Sequence, residues 1–196
     1  MEQSDEDLVR AYIEGDESAF SSLLARHLPA VYSFLFRFVG DADEAQDIAQ
    51  ETFVKIWKNL KRYDVSRSHF KTWAFNIARN AGIDSLRKKK HIPFSRYEKE
   101  DADYSLAETL PDNAPGQELL LEQELEKENL YALLAELPLP QREVLLLRHE
   151  EGLTFEEVSQ AIDQPLNTVK SRHRRALMAL RTLAEAQRET RDKRTK

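Results

Sequence analysis

The sequence predicts an all-α protein, and three observations support this fold class. Apolar residues recur at helical spacing, every three or four positions, along most of the chain. Only five glycines occur among the 196 residues, and none belongs to a glycine-rich phosphate-binding pattern. Stretches of alternating β-branched and polar residues, which are typical of strands, are scarce. We therefore expect two small helical domains joined by a flexible acidic linker.

The first half of the chain predicts four helices. Ser4 begins a capping pattern for the first helix, and the second contains Pro29, where we expect a kink. The third helix is expected from about residue 43 to residue 60, with Trp57 in its apolar stripe. The fourth is expected from about residue 70 to residue 89. It ends in a basic cluster, which the helix dipole favours at a C-terminus.

Residues 95–117 divide the chain in two. They contain two prolines, a glycine and many acids, and they carry too little apolar surface to become ordered by themselves. Helices are predicted to resume near residue 117, and order is predicted to end near Gln187. The predicted division is a first domain at 1–94, the acidic linker at 95–117, a second domain at 118–187 and a basic tail at 188–196.

A helix-turn-helix pattern lies in the second domain. Thr154 and Glu157 form a capping box for a helix that ends near residue 162, and a second helix is expected from about residue 166 to residue 186. Its predicted outward residues are Lys170, Ser171, Arg172, Arg174 and Arg175. The N-terminal end of such a helix is suited to a DNA major groove. A solvated basic helix in an ordinary bundle would show the same pattern.

Charge is distributed unevenly along the chain. The formal net charge is −6, but eleven carboxylates and two lysines lie between residues 98 and 128, which gives that stretch −9. Ten basic residues and three acids lie between residues 168 and 196, which gives the C-terminal stretch +7. This asymmetry indicates contact with nucleic acid better than the charge of the whole chain does.

Several function classes have no support in the sequence. The chain has no cysteine, and its five histidines show no metal-binding spacing. No nucleophile and base occur in a recognisable catalytic pattern, so we expect no enzymatic activity, no metal and no cofactor. No apolar run approaches the roughly 18 residues that span a bilayer, and the acidic N-terminus does not resemble a signal peptide. We expect a cytoplasmic protein that is not embedded in a membrane.

Two polar stretches of the first domain leave alternatives open. Asp47, Gln50 and Glu51 lie on one face of the third helix, which is either solvated or bound by a partner. Residues 66–91 contain both aromatic and basic residues, and Phe70 and its neighbours either belong to the core or stack on single-stranded bases.

Three segments in series carry a family resemblance. They read DADEAQDIAQETFVKIW at residues 41–57, FKTWAFNIARNAGIDSLRKK at 70–89, and LPLPQREVLLLRHEEGLTFEEVSQAIDQPLNTVKSRHRRAL at 137–177. Together they resemble a bacterial RNA polymerase sigma factor of the extracytoplasmic-function group, from about residue 5 to residue 185. The resemblance implies a transcription initiation factor that binds core RNA polymerase and directs it to promoters through the −10 and −35 elements. The alternative is a stand-alone helix-turn-helix regulator that needs no polymerase.

The resemblance also implies three groups of site residues. The residues that would face the clamp of the largest polymerase subunits are Asp47, Gln50 and Glu51. Those that would bind the −10 element, including its melted non-template strand, are Phe70, Asn80, Asp84, Arg87 and Lys88. Those that would read the −35 element as duplex are Asn167, Thr168, Lys170, Ser171, Arg172 and Arg175.

The same resemblance implies further partners, and the sequence differs from the family pattern at two positions. It implies contact with the polymerase flap, an inhibitory anti-sigma factor, and a path for the acidic linker through polymerase channels. Asn167 stands where the family usually has glycine, and asparagine tolerates unusual backbone angles. His173 replaces a usual aliphatic core residue, and we expect its protonation to cost stability.

Overall fold

The structure is a computed structural model that describes residues 3–90 and 127–194. The predicted linker at 95–117 lies outside the described residues. Within them the chain forms α1 Asp5–Ile13, α2 Glu17–Val39, α3 Ala42–Asn59, α4 Phe70–Lys90, α5 Lys127–Glu136, α6 Leu139–Leu145, α7 Phe155–Ile162 and α8 Leu166–Arg194. A 3₁₀ turn at Leu60–Arg62 follows α3, and a π-helical turn at Leu146–Glu150 extends α6. No strand occurs in either described range, so the all-α prediction is confirmed.

Helices α1, α2 and α3 begin at side-chain caps that the sequence supplies. The side chains of Ser4, Asp16 and Asp41 accept hydrogen bonds from backbone N–H groups of the first turns, at 2.9–3.1 Å. Gly40 ends α2 with a φ of 81°, a left-handed conformation that glycine adopts without steric cost. Helix α2 continues through Pro29 as one element of 23 residues.

The N-terminal unit, defined as residues 3–90, is a bundle of α1–α4 around a core rich in phenylalanine. Phe34 stacks on Phe38 with ring centroids 5.3 Å apart, and it meets Phe75 edge-on at 5.4 Å. Gly82 lets α4 approach this cluster, since a Cβ there would lie 2.8 Å from Phe38 Cδ1. Helix α4 is therefore held against α2 by a closely packed interior.

The C-terminal unit, defined as residues 127–194, contains the predicted helix-turn-helix. The Thr154–Glu157 capping box is present, with both reciprocal hydrogen bonds formed. The turn between α7 and α8 takes its left-handed residue at Asp163, with a φ of 52°. Asn167 instead lies in the first turn of α8. The asparagine that departs from the family pattern therefore does not carry the unusual backbone angle of this turn.

Helix α8 is longer than predicted. We expected order to end near Gln187, but the helix continues to Arg194. Its distal part is rich in alanine, glutamate, glutamine and arginine, which favour helices, and Arg181 pairs with Glu185 one turn later at 3.0 Å. The prediction of a disordered tail is therefore wrong for residues 188–194. In the described part of the chain, no helix is both long and apolar enough to cross a membrane.

The two units pack against each other through α4 and α7, and through α2 and the segment around α6. Asn76 Nδ2 donates to the carbonyl of Ala161 at 2.8 Å. Arg142 donates to the carbonyl of Phe38 at 3.2 Å and also to carbonyls at the end of α5, so one guanidinium joins three helices. The surfaces predicted to bind nucleic acid thus lie close to an interface between the units.

Candidate polymerase and nucleic-acid interfaces

The predicted polymerase-binding face on α3 is exposed. The side chains of Asp47, Gln50 and Glu51 all face solvent. Glu51 pairs with Lys55 at 2.8 Å, and this hydrogen bond keeps the pKa of the Glu51 carboxyl below its usual value. The face is therefore charged at neutral pH and available to a partner.

The same face has an apolar centre that the sequence analysis missed. We placed Trp57 in the core stripe, but half of its surface (51%) is exposed, and Val54 beside it is also exposed. The helical period gives the reason, because Trp57 follows Gln50 by seven residues and Val54 by three, which puts all three on one side. Exposed tryptophan ringed by charge is typical of protein interfaces.

The candidate residues for the −10 element on α4 divide into an exposed group and one buried residue. Asn80, Asp84, Arg87 and Lys88 are exposed along one side of the helix. Asp84 and Arg87 form an ion pair at 3.7 Å.

Phe70 is fully buried, so the prediction that its ring faces DNA is wrong. The ring packs against His27, Tyr63 and Trp73 with centroids 5.2–5.8 Å apart. Its position could have been read from the sequence, since Phe70 precedes the buried Ala74 and Ala78 by four and eight residues.

Phe70 instead supports the loop that precedes α4. Tyr63, which packs edge-on against Phe70, donates its hydroxyl to the carbonyl of Ser68 at 2.9 Å. Burial, with nearby Glu6 and Asp5, raises the pKa of the Tyr63 hydroxyl to about 12, so this donor stays protonated. The aromatic cluster thus fixes the loop at residues 64–69 against the bundle.

The candidate residues for the −35 element lie at the N-terminal end of α8, and all of them except Arg172 are exposed or half-buried. Asn167 and Ser171 are exposed, and Thr168, Lys170 and Arg175 are half-buried. The Ser171 hydroxyl donates to the carbonyl of Thr168 at 2.9 Å, and Arg175 Nε donates to the carbonyl of Ser171 at 3.3 Å. These contacts are local to the helix and leave its N-terminal end facing outward.

Arg172 is the exception, and the prediction that it faces outward is wrong. Only 5% of its surface is exposed, and its guanidinium lies 3.5 Å from a carboxylate oxygen of buried Glu143. It lies three residues after Val169 and four before Ala176, both fully buried, so the helical period places it on the inner side. Its charge stabilises the interior of the unit and is not available to read a base.

His173 packs inward as predicted, in contact with a second histidine. Its Nε2 lies 2.8 Å from Nε2 of His149, the two rings stack, and Phe155 meets His173 edge-on at 5.0 Å. Burial, together with His149 and Arg148, lowers the pKa of His173 to about 4. The ring is therefore neutral at pH 7, and protonation costs stability, as expected.

Both units line one cleft of about 1090 Å³. From α4 it receives Asn76, Arg79, Asn80 and Asp84, among others, and Glu143 lies opposite. Arg79 Nε donates to Glu143 at 2.8 Å. Three of the residues predicted to bind the −10 element, Asn80, Asp84 and Arg87, therefore line a cleft that the C-terminal unit also lines. In the described ranges no group of three or more acidic, histidine or cysteine side chains is placed to hold a metal ion.

The chain is similar to known families and to named proteins. Residues 23–92 match the family description Sigma-70 region 2, and residues 127–180 match Sigma-70, region 4. The chain is 33% identical over 181 residues to RNA polymerase sigma-H factor of Pseudomonas aeruginosa, covering 91% of this chain and 93% of that protein. It is 35% identical over 166 residues to ECF RNA polymerase sigma factor RpoE of Cereibacter sphaeroides, covering 85% and 86%.

Solved structures show the same fold. The sigma factor RpoE of Bartonella quintana, solved with the anti-sigma factor NepR, gives a TM-score of 0.63 at 25% identity and covers 85% of this chain and 96% of its own. CnrH, solved with the cytosolic domain of CnrY, gives 0.68 at 24% identity and covers 94% and 99%. The family of this chain is shown by the two matched regions, which occur in this order. It is also shown by the two relatives, which match along most of both chains. The chain belongs to the extracytoplasmic-function group of RNA polymerase sigma factors.

Proposed function

We propose that this protein binds core RNA polymerase and directs it to specific promoters. The observation that carries the proposal is the presence of regions 2 and 4 in one chain, in the order found in named RNA polymerase sigma factors. A stand-alone regulator has no need of the exposed face on α3, so the polymerase-dependent function is favoured. The polymerase supplies the chemistry, and this chain supplies recognition, in the cytoplasm.

The α3 face is the proposed contact with the polymerase clamp. Asp47, Gln50 and Glu51 supply polar and charged groups, and Val54 and Trp57 supply apolar area that is exposed in the free chain. Desolvation of a half-exposed tryptophan inside a charged rim is a common source of binding energy in protein complexes. A second contact, between the C-terminal unit and the polymerase flap, belongs to the same proposal.

The exposed side of α4 is the proposed −10 reader. Asn80 and Asp84 offer hydrogen-bonding groups to unpaired bases, and Arg87 and Lys88 offer positive charge to the backbone of the non-template strand. Phe70 is left out of this set because its ring is buried. Its role is to support the loop before α4.

The N-terminal end of α8 is the proposed −35 reader. Such a helix enters the major groove of duplex DNA with its first residues at the base edges. The proposed contacts are Asn167, Thr168, Lys170, Ser171 and Arg175. Lysine and arginine bind phosphates or guanine edges, and the hydroxyl and amide groups bind phosphates or bases.

An inhibitory protein partner is also proposed. The sigma factor RpoE of Bartonella quintana has been solved in complex with the anti-sigma factor NepR, and it matches this chain over 85% of its length. A protein that covers α4 and α8 would block both DNA readers at once.

Core binding and transcription test the proposal together. The variant D47A/E51A removes two exposed carboxylates, and we expect it to weaken binding to core polymerase by about tenfold or more, which is about 1.4 kcal/mol. The matched control is E14A/E17A, which removes two exposed carboxylates at the α1–α2 corner and should bind like the wild type.

Run-off transcription with core enzyme should show specific initiation with wild type and control, and less with D47A/E51A. Equal core binding by all three proteins would reject the α3 assignment. Specific promoter binding by the free protein, without any effect on initiation, would favour the stand-alone regulator.

A further inference from the structure

Two histidines of the C-terminal unit meet through their Nε2 atoms. His149 lies on the π-helical turn Leu146–Glu150 and is exposed, whereas His173 lies on α8 with only 6% of its surface exposed. The two Nε2 atoms are 2.8 Å apart, which is a hydrogen-bonding distance. One of the two nitrogens donates a hydrogen and the other accepts it, because two N–H groups or two lone pairs would repel each other at this distance. The pair therefore shares one hydrogen.

The surroundings of the pair favour a neutral His173. Phe155 of α7 meets the His173 ring edge-on, and Arg148 and Lys170 lie over the Phe155 ring at 5.1 Å and 5.8 Å. The carboxylates closest in sequence bind cations of the N-terminal unit, and they are those of Glu143, Glu150 and Glu151. Burial, together with His149 and Arg148, lowers the pKa of His173, so the ring is neutral at pH 7. The contact with His149 is therefore a hydrogen bond to a neutral imidazole.

Two consecutive residues attach α8 to two different segments. Arg172 lies 3.5 Å from the carboxylate of Glu143 on α6, and His173 binds His149 on the π-helical turn. Consecutive residues of an α-helix point about 100° apart, at 3.6 residues per turn. Two contacts in different directions limit the rotation of a helix about its axis more strictly than one contact does. Together they determine which residues of α8 face outward.

The proposed readers of the −35 element lie on both sides of these two contacts along α8. Four of them precede Arg172, and Arg175 follows His173 by two residues. Contacts with base edges in a major groove depend on the direction of each side chain. A rotation of α8 would therefore move all five readers together relative to the groove.

The π-helical turn explains how His149 reaches α8. The turn is closed by a hydrogen bond from the backbone N–H of Glu151 to the carbonyl of Leu146, at 3.2 Å. A π-helical turn places one extra residue in a helix, so the residues at its end point about 100° away from their α-helical directions. Such turns occur frequently at functional sites. The sequence analysis gave His149 no role, because the α-helical period does not apply across this turn.

We propose that His149 is a positioning residue for reading the −35 element, because its hydrogen bond to His173 fixes the direction in which α8 presents its reading side chains. This inference rests on the proposed promoter-reading function. His149 acts through His173 and does not itself read a base. Glutamine can take its place, since the side-chain amide offers both a donor and an acceptor, whereas leucine offers neither.

The experiment compares H149L with H149Q in complexes of core polymerase with the full chain. The probe is fragmented genomic DNA, and sequencing of the transcript 5′ ends reports the −10 and −35 preferences of each protein together. We expect H149L to lose about fivefold of its preference for matching −35 sequences, which is the size expected for one ordinary hydrogen bond. Its −10 preference should stay that of the wild type, and H149Q should retain both preferences.

The matched control is T182L, which introduces leucine at an exposed position further along α8 and should behave like the wild type. An unchanged −35 preference in H149L would overturn the proposal, as would equal losses in H149L and H149Q. A parallel loss of the −10 preference in H149L would also overturn it, because the substitution would then act on the whole protein. Circular dichroism establishes whether each variant is folded.

Nitrogen NMR of the imidazole rings in the free wild-type chain is a second measurement that needs neither a variant nor polymerase. We expect one hydrogen between the two Nε2 atoms of His149 and His173. A hydrogen on both Nε2 atoms, or on neither, would overturn the proposal even if H149L does not fold. An absence of promoter-specific start sites with the wild type would reject the proposed function, while the NMR measurement would still report whether the two histidines form this bond.

Discussion

Acidification should destabilise the C-terminal unit through His173. The pKa of this buried histidine is about 4 in the folded protein, against an ordinary value of 6.5. Because the folded state binds the proton more weakly than the unfolded state does, the stabilisation is complete above pH 6.5. It is lost progressively as the pH falls from 6.5 towards 4. Burial is the main cause, and His149 and Arg148 add to it.

The size of the effect follows from the difference between the folded and unfolded pKa values. That difference corresponds to about 3 kcal/mol at the acid limit, at about 1.36 kcal/mol for each pKa unit. Between pH 7.5 and pH 5.5 the linkage relation gives a loss of about 1 kcal/mol from His173 alone. This is a large fraction of the stability of a small helical unit.

The variant H173L isolates this contribution. Leucine restores the aliphatic residue usual at this position and cannot be protonated, so we expect little change at pH 7.5. Between pH 7.5 and 5.5, H173L should lose about 1 kcal/mol less of its free energy of unfolding than the wild type loses, as measured by chemical denaturation. The control is the same substitution at an exposed histidine of the N-terminal unit, H69L. A ring pKa at or above 6.5 by NMR titration, or an unchanged pH dependence in H173L, would refute the reasoning.

Two other substitutions test the interior of the protein. Arg172→Ala leaves Glu143 buried with one partner fewer, so it should lower the free energy of unfolding by about 3 kcal/mol. The control Arg175→Ala should mainly weaken binding to the −35 element. If R172A loses base preference at the −35 element without losing stability, Arg172 reads a base after all. Gly82→Ala places a Cβ 2.8 Å from the buried Phe38 ring and should cost about 1–3 kcal/mol in chemical denaturation, despite the better helix propensity of alanine. A G82A protein as stable as the wild type would show that α4 is less tightly packed on α2.

The sequence predicts the helices well because each carries its own signals. Caps at Ser4 and Thr154, and the left-handed glycine at position 40, begin or end helices where the pattern indicates. The errors at Trp57, Phe70 and Arg172 concern which way one side chain points. In all three cases the helical period places the side chain on the same face as residues that the structure shows in the same environment.

The packing between the units could not have been predicted from the sequence. Arg79 and Glu143 are 64 residues apart, and nothing local in either segment marks them as partners. Arginine and glutamate are among the commonest surface residues, so a buried pair between distant helices has no signature in composition or spacing. The left-handed backbone angle at Asp163 could not have been predicted either, because the family pattern indicates position 167 for the unusual angle.

Transcription from total genomic DNA of the source organism tests the central claim most directly. Core polymerase is incubated with the DNA fragments, with and without the protein, and the 5′ ends of the transcripts are sequenced. We predict a set of new start sites that share one −10 and one −35 sequence at constant spacing and that disappear with D47A/E51A. An absence of new start sites, or start sites without a common pair of upstream elements, would contradict the assignment of this protein as a promoter-specificity factor.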